Sequence, residues 1–197
     1  MNTQLLTGPA ADSRPASGPR RPSRPSARIV LRPARSEEAS SLYALIQAHL
    51  EEGRLLPRDR DELSVHADRF VVAVRRGRIV GCAELAPLSG CVAEVRSLVV
   101  DRRARSLGIG RSLVTELQRR ARIAGFEQLS VFAHDAAYFA RMGFSIVPHT
   151  WVPEKIARDC TSCRQFRRCG QHALVISLVE GRQTRVPTYV PLAALRG

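Results

Sequence analysis

Arg105-Ser106-Leu107-Gly108-Ile109-Gly110, an R-x-x-G-x-G run, stands between two segments of opposite periodicity. Before it, VRSLVV (95–100) is rich in β-branched residues and reads as a strand. After it, Ile109, Leu113, Leu117, Ala121 and Ala124 recur at helical spacing, with Arg and Gln between them. A strand, a glycine turn and a helix start together make an anion site. Glycine lets the backbone approach closely, and the N–H groups of the first helical turn have no acceptor within the helix. The arrangement suits a pyrophosphate. No Lys-Ser/Thr pair follows Gly110, so the loop is not a nucleoside-triphosphate P-loop. It is not G-x-G-x-x-G either, which would point to a dinucleotide.

Upstream, RFVVAVRRGRIVGCAEL (69–85) reads as two strands joined by a tight turn at Arg76-Gly77. Downstream, LSVFAHDAAYFARMGF (129–144) reads as a strand, a short helix and a Gly-Phe turn into a further strand. The predicted order is strand, helices, three strands, loop, helix, strand, helix, strand. With the R-x-x-G-x-G loop, this order over residues 28–148 resembles the GNAT N-acetyltransferases. The resemblance implies a single α/β (α+β) domain with a mixed, mostly antiparallel central sheet flanked by helices. It also implies acetyl-CoA as co-substrate.

Four segments narrow the resemblance: GRLLPRDRDEL (53–63), GCAEL (81–85), AEVRSLVV (93–100) and VPEKIARDCTSCRQFRRC (152–169). Together they resemble the N-acetylglutamate synthase group of amino-acid N-acetyltransferases, in its short form without a kinase domain. The implied reaction is acetyl transfer to the α-amine of L-glutamate, the first step of arginine biosynthesis, with a small-molecule amino acid as partner. The chain departs from the group at Gly170-Gln171, where many relatives carry Asp-Glu, and this bears on the acceptor. Two alternatives stand beside this reading. One is a GNAT enzyme for another amine; the other is a non-catalytic acetyl-CoA-binding regulator.

Size and composition set the outer bounds. A chain of 197 residues with 44% hydrophobic residues supports one domain with a core of its own. The reading divides it into a Pro/Arg-rich, disordered arm (1–27), the domain (28–180) with a Cys-rich segment (152–172), and a tail (181–197). No apolar run approaches the roughly 18–20 residues that span a membrane, and no secretory leader is evident, so a cytoplasmic location is expected. The net charge of +13 comes almost wholly from arginine. It carries no stacking aromatics and no nucleic-acid motif, so the expected partners are anionic ligands rather than DNA or RNA.

Acetyl transfer to an ammonium needs a base, a polarised thioester and a held leaving group. Glu94, on the strand before the loop, matches the position of the family base or its water relay. The same residue also reads as a carboxylate paired with Arg96, and Glu84 is the second candidate base. Arg58 matches the family arginine for the acceptor carboxylates, with Arg96 beside it, because guanidinium binds carboxylate by paired hydrogen bonds. The usual thiolate acid, a tyrosine four residues before the Gly-Phe glycine, is Phe139 here. Tyr138 is expected to point about 100° away on its helix, leaving Ser97 or a water. For acetyl-CoA, the backbone of Leu98, Val99 and Val100 is expected to pair with the pantetheine arm. Arg105, Leu107, Gly108, Ile109, Gly110 and Arg111 are expected to hold the pyrophosphate, with Ser112 adding a hydroxyl.

Cys160-x2-Cys163-x5-Cys169-x2-His172 offers three thiols and an imidazole, a structural zinc-type set, or else small packing residues of the tail. Cys82 and Cys91 fall in strand patterns and are expected in the core. GNAT enzymes often dimerise, so a homodimer is the assembly implied by the resemblance.

Overall fold

The computed structural model describes residues 28–52, 55–163 and 166–181. The N-terminal arm and all but the first residue of the tail lie outside the described residues. Seven strands form one sheet in the order β1-β2-β3-β4-β5-β7-β6. They are β1 (Ile29–Pro33), β2 (Phe70–Arg75), β3 (Arg78–Pro87), β4 (Val92–Val100), β5 (Gln128–Ala133), β6 (Ser145–Val147) and β7 (His172–Ser177). Every pairing is antiparallel except that of β4 with β5. The chain is thus one α/β domain with a mixed sheet, as the sequence predicts.

Side-chain alternation sorts the central strands between two helical layers. On one face α3 (Ile109–Ile123) buries Ile109, Leu113, Val114, Leu117 and Ala121 against Val71, Ala73, Ala83 and Val95. On the other, α1 (Ala39–Gln47) and α2 (Arg60–Val65) bury Leu42, Leu45, Ile46 and Leu63 against Phe70, Val72, Cys82 and Val99. Ala124 caps α3 and is exposed, so Val114 rather than Ala124 completes the apolar face. Gly81 is where α3 meets the sheet most closely: a Cβ there would sit 3.1 Å from Ile109 Cγ2 and from the Val99 carbonyl.

The β2–β3 turn falls at Arg76-Gly77, with φ of +50° and +75°, the primed geometry that matches strand twist. Cys82 is buried, whereas Cys91 is exposed in the turn between β3 and β4, outside the core expected for it.

Two irregularities make the site. The register between β3 and β4 slips between Cys82 and Glu84, and Ser97 opposite adopts φ +48°. This left-handed conformation costs a non-glycine residue about 1–2 kcal/mol. The Cys82 thiol donates to the Ser97 carbonyl at 3.6 Å, tying the distortion to β3. In the second irregularity, β4 and β5 pair only from Val92–Gln128 to Val95–Val131. Past Val95 the two strands separate, while β5 stays paired with β7. The sheet splits into a V whose inner walls are the outer half of β4 and the end of β5.

Candidate active site

A cavity of about 810 Å³ fills this V. Its walls are β4 from Glu94 to Val100, β5 from Val131 to Ala133, the loop and first turn of α3, and the segment Leu55–Arg58. The segment after β6 closes it with Lys155, Arg158, Asp159 and Ser162.

At one end stands the N-terminus of α3. Asp101 accepts from the Arg103 N–H at 2.8 Å and starts a short turn, and Ser106 and Gly108 take positive φ (+65° and +74°). Gly108 thereby becomes the N-cap, and Arg105, Gly108, Ile109, Gly110 and Arg111 line the cavity. Leu107 and Ser112 do not. Leu107 is exposed, and the Ser112 hydroxyl donates to the Gly108 carbonyl within its own helix (3.2 Å). Leu98, Val99 and Val100 line the β4 wall as expected.

Gly110 has a second reason to be glycine. A Cβ at this position would lie 2.4 Å from the Tyr138 hydroxyl oxygen. Tyr138 belongs to α4 (Ala136–Ala140), fixed where Asp135 caps the helix by accepting from the Tyr138 N–H at 3.0 Å. Both Tyr138 and Phe139 reach the cavity, their rings edge-to-face at 5.1 Å, with the Tyr138 hydroxyl directed to Gly110. A helix this short, at the rim of the V, offers two successive side chains to one opening. Burial raises the Tyr138 phenol above its ordinary value against the pull of Arg111 and Arg141, so it stands as an O–H donor at neutral pH.

Arg105 is held by Glu52, whose carboxylate accepts at 2.8 and 2.9 Å from Arg105 Nη2 and at 2.9 Å from Arg102 Nε. These bonds, Arg105 foremost, depress the Glu52 carboxyl to about 2.

At the other end charge is concentrated in side chains. Asp59 caps α2 by accepting from the N–H groups of Asp61 and Glu62 (2.7 and 3.1 Å), worth about 1 kcal/mol, and fixes Arg58 just before the helix. Arg58 Nη1 donates to Glu84 at 2.8 Å and to the Ser97 hydroxyl at 3.4 Å, and Nη2 donates to Glu62 at 2.8 Å. Its buried Nε has no partner among the described residues. Glu84, 2% exposed, does not line the cavity but anchors Arg58 from beneath.

Glu94, 3% exposed, does line it and is flanked by two cations. It accepts from Arg96 Nε at 2.6 Å and pairs with Lys155 Nζ at 2.8 Å. Asp159 closes the ring, bonded to Arg96 Nη2 and, at 2.8 Å, to Lys155 Nζ. Lys155 and Asp159 are the site residues that sequence reasoning missed. Their i, i+4 spacing beside the Pro-Glu turn is the signal that pairs them.

The zinc-type set does not assemble. Among the described residues no group of three or more His, Cys, Asp or Glu is gathered for a metal ion. Cys160 ends a π-helical turn, Cys163 follows after one more turn, and Cys169 and His172 are exposed at the entry to β7. No helix among the described residues is long and apolar enough to cross a membrane.

With this geometry in hand, comparison with known proteins is informative. The model of the acetyltransferase (GNAT) family matches residues 35–144. An uncharacterized N-acetyltransferase of Chlorobaculum tepidum is 32% identical over 78% of this chain and 99% of its own length. An amino-acid acetyltransferase of Neisseria meningitidis is 29% identical over 68% of this chain, which spans only 31% of that protein. Among solved structures, the N-acetylglutamate synthase of Neisseria gonorrhoeae, in complex with coenzyme A and N-acetyl-glutamate, superposes with a TM-score of 0.69. It is 28% identical, covering 78% of this chain and 36% of that one.

Proposed function

The chain belongs to the acetyltransferase (GNAT) family as an acetyl-CoA-dependent N-acetyltransferase, and from that premise we propose that its acceptor is the α-amine of L-glutamate. The observation that carries this reading is the division of one cavity into two ends. The first offers backbone donors for a pyrophosphate; the second gathers Arg58, Arg96 and Lys155 from three separate segments. A polyamine site would be expected to carry an excess of carboxylates, whereas here Arg58, Arg96, Lys155 and Arg158 outnumber Glu62, Glu94 and Asp159 along the lining. The likeness to amino-acid acetyltransferases supports the same choice, and the arginine-biosynthesis role implied by the resemblance follows from that acceptor.

In this proposal the pantetheine arm lies along Leu98–Val100 as an added strand, where the bulge at Ser97 turns β4 away from β5 and frees its edge. The pyrophosphate sits on the α3 N-terminus, with Arg105, Arg111 and the Tyr138 hydroxyl around it. Arg58 and Arg96 orient the acceptor through its carboxylates. The acceptor ammonium gives a proton to Glu94, directly or through a water. The freed amine nitrogen attacks the thioester carbonyl carbon, the C–S bond breaks, and the second proton that the nitrogen sheds in becoming an amide passes, by way of Ser97 or water, to the leaving thiolate. Tyr138 lies beside Gly110 and Val100, toward the phosphate end of the strand, so it serves the phosphates rather than the sulfur. Ser97 and water are the donors left for the thiolate.

The test is consumption of acetyl-CoA against the twenty amino acids and spermidine. Turnover with glutamate above all others is expected. Turnover confined to another amine overturns the acceptor assignment, and none with any amine, alongside intact acetyl-CoA binding, favours a regulatory binding protein.

A further inference from the structure

The ring of charges at the acceptor end has one unusual member. Glu94, Arg96 and Lys155 have side chains 4%, 18% and 12% exposed, whereas Asp159 is 31% exposed and stands on the cavity wall. Asp159 rides on Ile156–Cys160, a π-helical turn. Such turns are rare and recur at functional sites, because the wider turn loosens the backbone ladder and re-aims a side chain. Both cations bind a single Asp159 oxygen, Oδ2. Of the Arg96 donors, Nε is taken by Glu94 and Nη2 by Asp159, which leaves Nη1 for the second oxygen of a free carboxylate, a better partner than a monodentate one.

Electrostatics point the same way. Burial on its own would raise the Asp159 carboxyl, but Lys155, Arg96 and Arg158 outweigh it and hold it below the ordinary value. These three cations therefore attract carboxylate even at this half-open position, and Arg96 and Lys155 are the two that bond it. Glu94 satisfies one of the two positive charges, and the second is what Asp159 answers. When no ligand is bound, an unanswered charge among largely buried groups would be costly.

We propose that Asp159 is a specificity-determining residue: its tethered carboxylate occupies, on Arg96 and Lys155, the seat of an acceptor carboxylate that displaces it on binding. The inference rests on the reading that the acceptor is an amino acid bearing carboxylates. A neutral side chain gains nothing at these cations that Asp159 does not already supply, so it cannot displace it. A carboxylate side chain exchanges like for like and gains the second oxygen. The two cations select the acidic acceptor, and the internal carboxylate, at high effective concentration, competes with it and so sets how strongly glutamate is preferred over a neutral acceptor. The same competition holds the subsite neutral and ordered while it waits.

The experiment is binding of glutarate, a dicarboxylate without an amine, to the full chain by calorimetry. It is run alongside steady-state kinetics with L-glutamate and L-glutamine. With the competing carboxylate removed, Asp159→Asn should bind glutarate on the order of tenfold more tightly than the parent. It should also increase the kcat/KM preference for glutamate over glutamine by a similar factor. Asp159→Ser should do the same, which guards against an effect peculiar to one substitution or a variant that does not fold. Unchanged or weaker glutarate binding in folded variants overturns the inference. So does an equal loss with both acceptors, the signature of a merely structural role. If glutarate binding tightens but glutamate is not an acceptor of the parent, the acceptor reading falls and the Asp159 assignment stands. If glutamate is the acceptor and glutarate binding does not tighten, the assignment falls alone.

Discussion

At the α3 end of the cavity, the groups that meet a ligand are backbone N–H donors and a hydroxyl seated against a glycine. At the Glu94 end they are long side chains already bonded to one another. Each end holds a carboxylate on a cation: Glu52 on Arg105, and Glu94 with Asp159 on Arg96 and Lys155. Arg105 is 45% exposed against 18% and 12% for Arg96 and Lys155, so a pyrophosphate can replace Glu52 there at less cost. The second set is mostly buried, and partners there must be exchanged rather than simply gained. The donor end is pre-organised for any acetyl-CoA, whereas the acceptor end selects by what can replace an internal partner.

The comparison is tested most severely at Glu94. Glu94→Gln should lower kcat by about 10²-fold or more while the acetyl-CoA KM stays within about twofold. Unchanged turnover would reduce Glu94 to a partner of Arg96 and Lys155 and leave the acceptor end without its base. Arg58→Ala should raise the acceptor KM strongly. It should also destabilise the unliganded protein by about 3 kcal/mol or more, because Glu84 would be left buried and unpaired. Denaturant unfolding separates that structural loss from the kinetic one. A variant as stable as the parent would show that Glu84 finds another partner.

Gly110→Ala probes the donor end. The added methyl drives out the Tyr138 hydroxyl, and the acetyl-CoA KM should rise about tenfold with kcat little changed. Adding Tyr138→Phe removes the clashing oxygen, so the double variant should bind acetyl-CoA better than Gly110→Ala alone. Additive losses would mean the two residues do not share a seat. The smallest effect is expected from Glu52→Gln, which frees Arg105. Acetyl-CoA should bind about two- to threefold more tightly at low ionic strength, with the gain screened out near 1 M salt. Because the Glu52 carboxyl is depressed from 4.5 to about 2, its tie to Arg105 is fully formed above 4.5 and lost only as pH falls through about 2. Its effect on acetyl-CoA binding should therefore be flat from pH 5 to 8, and a slope in that range would implicate another group.

The donor end was legible because its chemistry is local. A strand, a glycine-bearing turn and a helix face lie within thirty consecutive residues, 95–124, and each follows from periodicity or from φ preference. The acceptor end was legible only in part. Arg58 and Glu94 were found through motif context, but Lys155 and Asp159 reach the site from the segment after β6, about sixty residues beyond Glu94 in sequence. Helical spacing turns Tyr138 away from the Phe139 position, and only the fold shows that this direction still lies within the cleft, against Gly110. Spacing along the chain says nothing of whether the Cys-rich segment brings its thiols together, and among the described residues they form no group of three or more potential metal ligands.

Sequence by itself determined the order of elements, the two apolar layers about the sheet, the anion loop and its need for glycine. These rest on interactions within a turn or two, or on alternation along one strand. Tertiary structure alone decided where the sheet opens. The slip at Ser97 lies in the β3–β4 pairing and the parting after Val95 in the β4–β5 pairing, and both depend on how strands from separate segments are set side by side. It alone also decided which carboxylate meets which cation. With 31 basic and 18 acidic residues in the chain, charge pairing is set by which segments the fold brings together, and no local rule singles out Asp159 for Arg96.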